Sequence, residues 1–455
     1  MFCDWLLPLV VGSPLLLAAA LEGGSGCVRA EESAAGDPRL AVQIEAWFIL
    51  EDAPLPLPAE AAGREGSGFR LGGLSDLHAA GGDEGTLRFW ALTDRGPNGV
   101  AVLPAAGVEG ALGDRLAGKE CRTLPVPEFS PTIVELEAAG GGTDQPGTLR
   151  ARVCLPLTSR SGQPTSGRPT SIFPTAKPMV HPGSLQELPP DPHGFDSEGL
   201  VRLSTGQFWV AEEYGPSLAE VSPEGCVLRR LVPRGTTLAG ADCAVEDVLP
   251  AEYARRCDNR GLESLAVAPD QSRLFCLLQS PLEPAGMAPG EEPHSVRLLV
   301  LDPVAGRPVA EYLYPLGDRA DSVADTVAAD GKISALAAID STTLLVLEQS
   351  DHHSRIYRID LAQASGDRQP VLEKECVADL APLAARFHAD IVPGMEKRPK
   401  KLSELKFEGM TLLAGQRVAL VNDNDFDMNA AGTGPATPAR RRTCLWILRL
   451  PQLVR

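Results

Sequence analysis

Short apolar runs recur in pairs along this chain, each pair split by a turn rich in Gly, Asp or Ser. Five pairs are clear: RLGGLSDLHAA with TLRFWALTDRGPNG, HGFDSEGLVRL with QFWVAEEYGP, NRGLESLAVAP with RLFCLLQSP, DGKISALAAI with TLLVLEQSD, and LKFEGMTLL with RVALVNDNDF. Runs this short, bounded by turn formers and with little helical period between them, predict β-strands and an all-β chain. Two stretches, ADTVAADGK and PLAARFHADIV, are short helix candidates.

Taking Asp76, Glu198, Glu263, Ser334 and Glu408 as equivalent gives spacings of 122, 65, 71 and 74 residues. Self-similarity at a regular spacing marks a radial array such as a β-propeller, whose blades are four-stranded sheets. The first spacing is nearly double the others. A sixth, weaker unit is therefore expected between them, supplied by Thr132 to Gly162. The pattern predicts a six-bladed β-propeller forming a single domain over residues 67–455, with residues 31–66 as a lead-in. Two β-sandwiches would give similar strand spacing, but without a recurring acid at one position. Low-complexity stretches at Ser159 to Pro178, Glu283 to Pro293 and Asn429 to Arg442 fall between units, as loops do.

In a propeller the innermost strand of each blade lines a central channel, so a residue recurring at its start converges with its counterparts on one axis. Asp76, Glu198, Glu263 and Glu408 would then surround one mouth. The ends of the second strands, Asp94, Glu212 or Glu213, Gln279, Glu348 and Asp423, would reach the same rim or the neighbouring loops. Carboxylates about 6 Å apart repel by roughly 2 to 3 kcal/mol per pair at an effective dielectric of about 20. Protonation or bound cations must relieve that. Oxygen-only ligands, with Asn98, Asn422 and Asn424 in reach, suit Ca²⁺ better than zinc. Arg95, Arg260, Lys332 and Lys406 recur beside the acids, where they could neutralise them or hold an anionic substrate.

Other chemistries find less support. His352 and His353 are adjacent, with no further ligand nearby, and read as a solvated loop; His193 lies nearer the acidic motif and is a minor substrate-contact candidate. No GxSxG sits in a strand, elbow and helix context, and no P-loop is present.

At these residues the chain resembles the phytase-like propeller family, described by an esterase-like activity of phytase. GGLSDL with LTDRGPNG, FDSEGL with FWVAEEYGPSLAEVSPEG, NRGLESLAV, KISALAAI with LLVLEQSD, and FEGMTLL with LVNDNDF carry the resemblance, over about residues 67 to 448. It implies an exported propeller that hydrolyses phosphate esters with Ca²⁺, acting as a monomer on a small anionic substrate. Carried over, Glu198, Glu263 and Glu408 take the acidic motif positions and a catalytic role, Glu213 and Tyr214 the EEYGP loop, and Asp423 the NDND loop; with Asp76, placed at the mouth by the repeat itself, Glu198, Glu263 and Asp423 are the metal-ligand candidates. Arg95, Glu213, Tyr214, Arg260, Lys332 and Lys406 become the substrate contacts. Ser334 departs from the pattern by lacking an acid. A metal-dependent lactonase or carboxyl esterase, and a non-catalytic propeller that binds a ligand or protein, remain open as alternatives.

A formal net charge of −18, from 42 Lys+Arg against 60 Asp+Glu, argues against a nucleic-acid or anionic-membrane partner. Residues 1–30 hold an apolar run from Leu6 to Leu21 followed by small residues, like the leader of a secreted or periplasmic protein; GSGC ending at Cys27 raises a lipid anchor as a further option. No transmembrane span is expected in the mature chain. The eight cysteines beyond the leader, Cys121 to Cys444, are an even number compatible with disulfides, whereas Cys276 in RLFCLL reads as a buried strand residue.

Overall fold

The structure, a computed structural model, describes residues 37, 40–57, 68–83, 85–102, 118–173, 177–184, 186–284, 294–317, 331–366 and 369–451. The candidate leader and nearly all of ADTVAADGK lie outside these residues.

Among the described residues five four-stranded units are arranged as blades. Strand β1 (Gln43–Leu50) precedes the first of them, which is built from β2 (Leu74–Gly81), β3 (Thr86–Thr93), β6 (Thr132–Ala139) and β7 (Gly147–Pro156). A separate three-stranded sheet of β4 (Gly99–Val102), β5 (Glu120–Thr123) and β8 (Met179–Val180) is inserted here. The second blade holds β9 (Ser197–Arg202), β10 (Phe208–Glu212), β11 (Ser217–Val221) and β12 (Val227–Pro233), with β13 (Ala244–Leu249) added in parallel at its outer edge. The third comprises β14 (Leu262–Val267), β15 (Leu274–Leu278), β16 (Ser295–Asp302) and β17 (Arg307–Pro315). The fourth comprises β18 (Lys332–Ala338), β19 (Thr343–Gln349), β20 (Ser354–Asp360) and β21 (Lys374–Asp379). The last has β22 (Phe407–Leu413), β23 (Arg417–Asn422) and β24 (Cys444–Arg449), and β1 completes it by pairing antiparallel with β24.

The ring closes through its inner strands: β2 packs beside β9, β9 beside β14, β14 beside β18, β18 beside β22, and β22 beside β2. This is a β-propeller, but each inner strand already has its two neighbours, so the expected sixth unit has no place. The segment Thr132 to Gly162, expected to be that unit, instead supplies β6 and β7 of the first blade. The inserted sheet accounts for the long first spacing. The lead-in 31–66 likewise contains β1, which ties one part of the chain to another by closing the ring.

The second strands β10, β15, β19 and β23 are buried almost throughout because both faces are covered by neighbouring blades, whereas β3 leaves Arg88 exposed. In β15, LFCLL, every residue is buried, and in β19, TLLVLEQ, all but the first. The core accordingly divides by blade interface. One cluster joins the second, third and fourth blades around Trp209, Phe275 and Leu298, another joins the fourth and fifth around Phe407 and Trp446, and a third joins the fifth and first around Phe89 and Leu445. Helix α1 (Ala384–Ile391), falling in PLAARFHADIV as expected, buries Phe387 against Phe407 and Trp446 at centroid separations of 5.0 and 5.1 Å. No helix among the described residues is long and apolar enough to cross a membrane.

The eight described cysteines are free, so the expected disulfides are not formed. Cys276 is buried in its strand as expected, and Cys226 and Cys257 donate to the carbonyls of Ser159 and Pro281 rather than meeting one another.

Two residues expected at the rim or in a loop belong instead to a buried polar knot. Glu348 accepts from Tyr314 at 2.9 Å, Lys374 at 2.6 Å and the Gly317 amide at 2.8 Å, and His353 Nε2 lies 3.3 Å away. His353, only 6% exposed, is therefore no solvated loop residue. Burial alone would raise the Glu348 pKa, but His353 and Lys374 outweigh it and hold it at about 2, against an ordinary 4.5. A depressed folded-state pKa stabilises the fold above the unfolded value, and that stabilisation disappears as pH falls through the folded value. Glu348→Gln is expected to cost about 3 kcal/mol in denaturant unfolding at neutral pH. The difference from the parent should shrink between pH 4.5 and 2; a pH-independent difference would rule out this origin.

Candidate functional site

The inner strands share one irregularity. In each of β2, β9, β14, β18 and β22 the register with the second strand slips near the mouth, and the extra residue is Ser75, Glu198, Glu263, Ser334 and Glu408 in turn. A β-bulge of this kind leaves one residue out of the ladder and re-aims its side chain. Four of these five, Ser75, Glu198, Glu263 and Glu408, line one cavity at the channel mouth.

Asp76 therefore sits one position later than its expected equivalents. In the fifth and second blades that later position is Gly409 and Gly199, because a Cβ there would lie 2.8 Å from the Leu77 amide nitrogen and 2.9 Å from that of Leu265. In the first blade the Asp76 carboxylate fills the same inter-blade gap. It accepts the amides of Leu200 at 2.6 Å and Leu77 at 2.7 Å, and burial pushes its pKa well up. Asp76 is thus turned toward the next blade and not toward the expected metal cluster.

The mouth has two halves. In the first, Asp196, Glu198 and Glu213 each place a carboxylate oxygen within 4.8 Å of the others. Asp196 and Glu213 are buried, and Glu198 is largely buried. Arg95 spans this group: it forms an ion pair with Asp196, donates to Glu213 at 3.1 Å, and donates through Nη1 to the Tyr214 hydroxyl at 2.5 Å and to Asn259 at 2.6 Å. One guanidinium does not satisfy three carboxylates. Asp196 Oδ1 and Glu213 Oε1 are buried without a hydrogen-bond partner. Burial, with Asp196 and Glu213 beside it, raises the Glu198 pKa well above the ordinary range, and burial and Asp196 do the same to Glu213. Asp94 on the same floor is raised by burial and by Asp423.

The second half carries its own cations. Lys332 donates to both oxygens of Glu408, at 2.7 and 2.9 Å, and lies 3.9 Å from Glu263. The fourth blade, whose bulge residue is Ser334, contributes this ammonium from two residues earlier. Glu263 also accepts from Gln279 at 2.5 Å; burial raises its pKa, with Lys332 opposing, to about 7. Lys406, held at φ 48°, donates to Asp423 at 2.5 Å and pairs with Asp425.

Above this floor opens a wider cavity of about 610 Å³, against about 190 Å³ for the floor itself. Its walls present Arg122, Lys177, Arg260, Lys332, Lys401 and Lys406. Lys177 and Lys401 are paired with Glu120 and Asp351. Arg260, half-exposed, makes no ion pair among the described residues.

Several expected site residues prove to be supports. Tyr214 is fully buried beneath Arg95, whereas Arg95, only 5% exposed, lines the floor of the mouth. Glu212 clamps the EEYGP turn, accepting the amides of Tyr214 at 3.0 Å and Gly215 at 2.7 Å, which leaves Glu213 to face the mouth. Asn422 and Asn424 accept the amides of Cys444 and Gly73 at 2.7 and 3.0 Å, and Asn98 accepts from Arg122 at 2.8 Å. Their oxygens are committed. His193 lines a different, small cavity beside Asp242. Asp196 was not singled out from sequence, although it lies two residues before Glu198 in FDSEGL.

The contrast between Asp76 and Glu198 is testable by denaturant unfolding at neutral pH. Asp76→Ala leaves the Leu200 amide unsatisfied and is expected to cost about 1–3 kcal/mol. Glu198→Gln removes a like charge from a crowded group and should leave stability unchanged or raised. The reverse order would contradict this assignment.

The family model "Phytase-like", described as esterase-like activity of phytase, matches residues 70–426. An "uncharacterized secreted protein" of Arthroderma benhamiae is 26% identical over 222 residues, covering 43% of this chain. The chain matches 40% of that relative's length. Among solved structures, the WD40 repeats of RRP9 are similar at a TM-score of 0.32 and 10% identity, covering 90% of this chain and 100% of that one. An aldose sugar dehydrogenase of Streptomyces coelicolor in its PQQ-bound form is similar at 0.28 and 12% identity, covering 90% and 98%. The fold assignment rests on the sheet topology and ring closure described above.

Proposed function

Because the chain belongs to the phytase-like family, whose model spans residues 70–426, we propose that it is an exported hydrolase of phosphate esters that works with a divalent cation, Ca²⁺ before others. The observation that carries this reading is the layering of the mouth: a rim rich in Arg and Lys lies over a floor of carboxylates, one half of which has the single Arg95 to serve Asp196, Glu198 and Glu213. An anionic substrate is attracted to the rim, and a hard cation to the floor. The secreted relative and the apolar leader support export.

Asp196, Glu198 and Glu213 fit the cation. All offer oxygen, as Ca²⁺ prefers, and the two unpartnered buried oxygens of Asp196 and Glu213 are costly to keep without a positive partner. When bound, such a cation supplies Lewis-acid polarisation of a phosphoryl oxygen. The chain's own groups do the rest. Arg95 and Tyr214 fix Glu213 from below. Glu198 is the least buried carboxylate of the three and lines the mouth, in reach of an attacking water. Glu263, poised at about 7, can accept a proton near neutral pH. Arg260, Lys332 and Lys406 offset charge on the phosphoryl group, with Lys332 also holding Glu408. A lactone or carboxyl ester would make no use of so basic a rim.

Purified protein is assayed on p-nitrophenyl phosphate, inositol hexakisphosphate and p-nitrophenyl acetate, with Ca²⁺ or with EGTA. Phosphate release that requires Ca²⁺ and falls at least about 100-fold in Glu198→Gln is expected. Cleavage of the acetate alone would point to the esterase, and no turnover on any substrate to a binding propeller; either result overturns the proposal.

A further inference from the structure

Three cations line both the carboxylate floor and the wider cavity above it: Arg122, Lys332 and Lys406. They differ in what they face. Lys332 is spent on Glu408, at 2.7 and 2.9 Å, and Lys406 on Asp423 and Asp425. Arg122 has neutral partners only. Its Nη1 donates to Asn98 Oδ1 at 2.8 Å and its Nη2 to Asn259 Oδ1 at 3.3 Å, and it makes no ion pair among the described residues. Its buried Nε has no hydrogen-bond partner. Both amides that hold the guanidinium themselves line the floor cavity, which places the charged head at the wall of the mouth.

The inserted sheet brings this charge to the mouth and holds it. Arg122 lies on β5, the middle strand, in register with Val100 of β4 on one side and Met179 of β8 on the other. Cys121 and Thr123, on the other face of the strand, are buried, and Thr123 donates to the Gly432 carbonyl. Asn259 accepts from a second guanidinium on the same oxygen, that of Arg95 at 2.6 Å. It reaches this place at φ 56°, a left-handed conformation that Asn tolerates better than most residues. Arg95 is paired with Asp196 and Glu213. Arg122 therefore stands beside the cation-poor half of the floor, linked to it through Asn259, with its own charge unmatched. An amide bonds to a guanidinium without cancelling its charge, so two cations held against one amide oxygen leave a place for an anion.

We propose that Arg122 is the residue of this mouth that grips the phosphoryl oxyanion of the substrate, with Asn98 and Asn259 as positioning residues that orient its guanidinium. This rests on the reading of the chain as a phosphate-ester hydrolase and deepens it, because the contact comes from the inserted sheet and not from the repeated motif. A planar guanidinium offers paired N–H donors to two phosphoryl oxygens, a geometry that a lysine ammonium lacks. Free phosphate presents the same oxygens, so the site also predicts affinity for inorganic phosphate.

Calorimetric titration of the full chain with inorganic phosphate, at Ca²⁺ low enough to keep calcium phosphate soluble, is run beside kinetics on p-nitrophenyl phosphate. Saturable phosphate binding is expected, weakened at least about tenfold in Arg122→Gln, with KM for the ester raised by a similar factor. Arg122→Lys, which keeps the charge and loses the planar fork, should fall between parent and Arg122→Gln. Arg152→Gln on β7 removes one positive charge from an ion pair with Glu137 and should leave phosphate binding unchanged. Thermal melts establish that each variant is folded. Absence of phosphate binding to the parent, binding that Arg122→Gln retains, or an equal loss in Arg152→Gln overturns the proposal. Loss of phosphate affinity with KM unchanged would put free phosphate and not the ester on Arg122, and overturns it as well. Phosphate binding that depends on Arg122 in a chain that turns over no ester would uphold the anion site and overturn the hydrolase reading instead.

Discussion

Crowding of like charge around one axis is the constraint to which this mouth answers. Asp94, Glu198, Glu213, Glu263, Glu408, Asp423 and Asp425 line a floor of only about 190 Å³. At an effective dielectric of about 20, each close pair of ionised carboxylates costs roughly 2 to 3 kcal/mol, and a domain is stable by only about 5–15 kcal/mol in total. Such a group survives only if protons or cations are distributed through it. Lys332 and Lys406 serve one half, pairing with Glu408, Glu263, Asp423 and Asp425. The other half has the single Arg95, already committed to Tyr214 and Asn259. The imbalance between the halves, more than any one residue, is what makes the mouth a site.

The fold produces this arrangement by repeating one local device. A bulge at the mouth end of every inner strand lifts one side chain out of the ladder, and the next position faces the adjacent blade at close range. Residue choice at the two positions follows from space. The bulge accepts Glu or Ser, and the following position accepts Gly, Ser or Ala, with Asp76 tolerated because it bonds to the Leu200 amide across the gap. Where the bulge carries Ser334, the missing acid is replaced by a lysine that neutralises its neighbours.

The recurrence of strand pairs and of Glu198, Glu263 and Glu408 was legible in the sequence because burial on both faces demands apolar second strands and because the motif is local. Less legible was anything dependent on register. Period-two alternation means that a shift of one residue sends a side chain to the other face, and aligning Asp76 with Glu198 made that shift unseen. The blade count was misread for a related reason: an inserted sheet of β4, β5 and β8 lengthens the first spacing, and strands β6 and β7 look like a new unit when they are outer strands of an old one. Cysteine number carries no geometry, which is why an even count suggested bridges that do not form. Asp196 precedes its strand, outside the repeated motif, so only the three-dimensional convergence with Glu213 brings it forward.

Propellers serve enzymes and binding modules alike, so function here depends on whether the cation-poor half of the mouth holds a metal. The most direct measurement is calorimetric titration of the purified chain with Ca²⁺, alongside Glu198→Gln and Glu213→Gln. Stoichiometric binding to the parent, weakened at least about tenfold in both variants, is expected. Absence of binding, or binding that both variants retain unchanged, would contradict a metal at Asp196, Glu198 and Glu213.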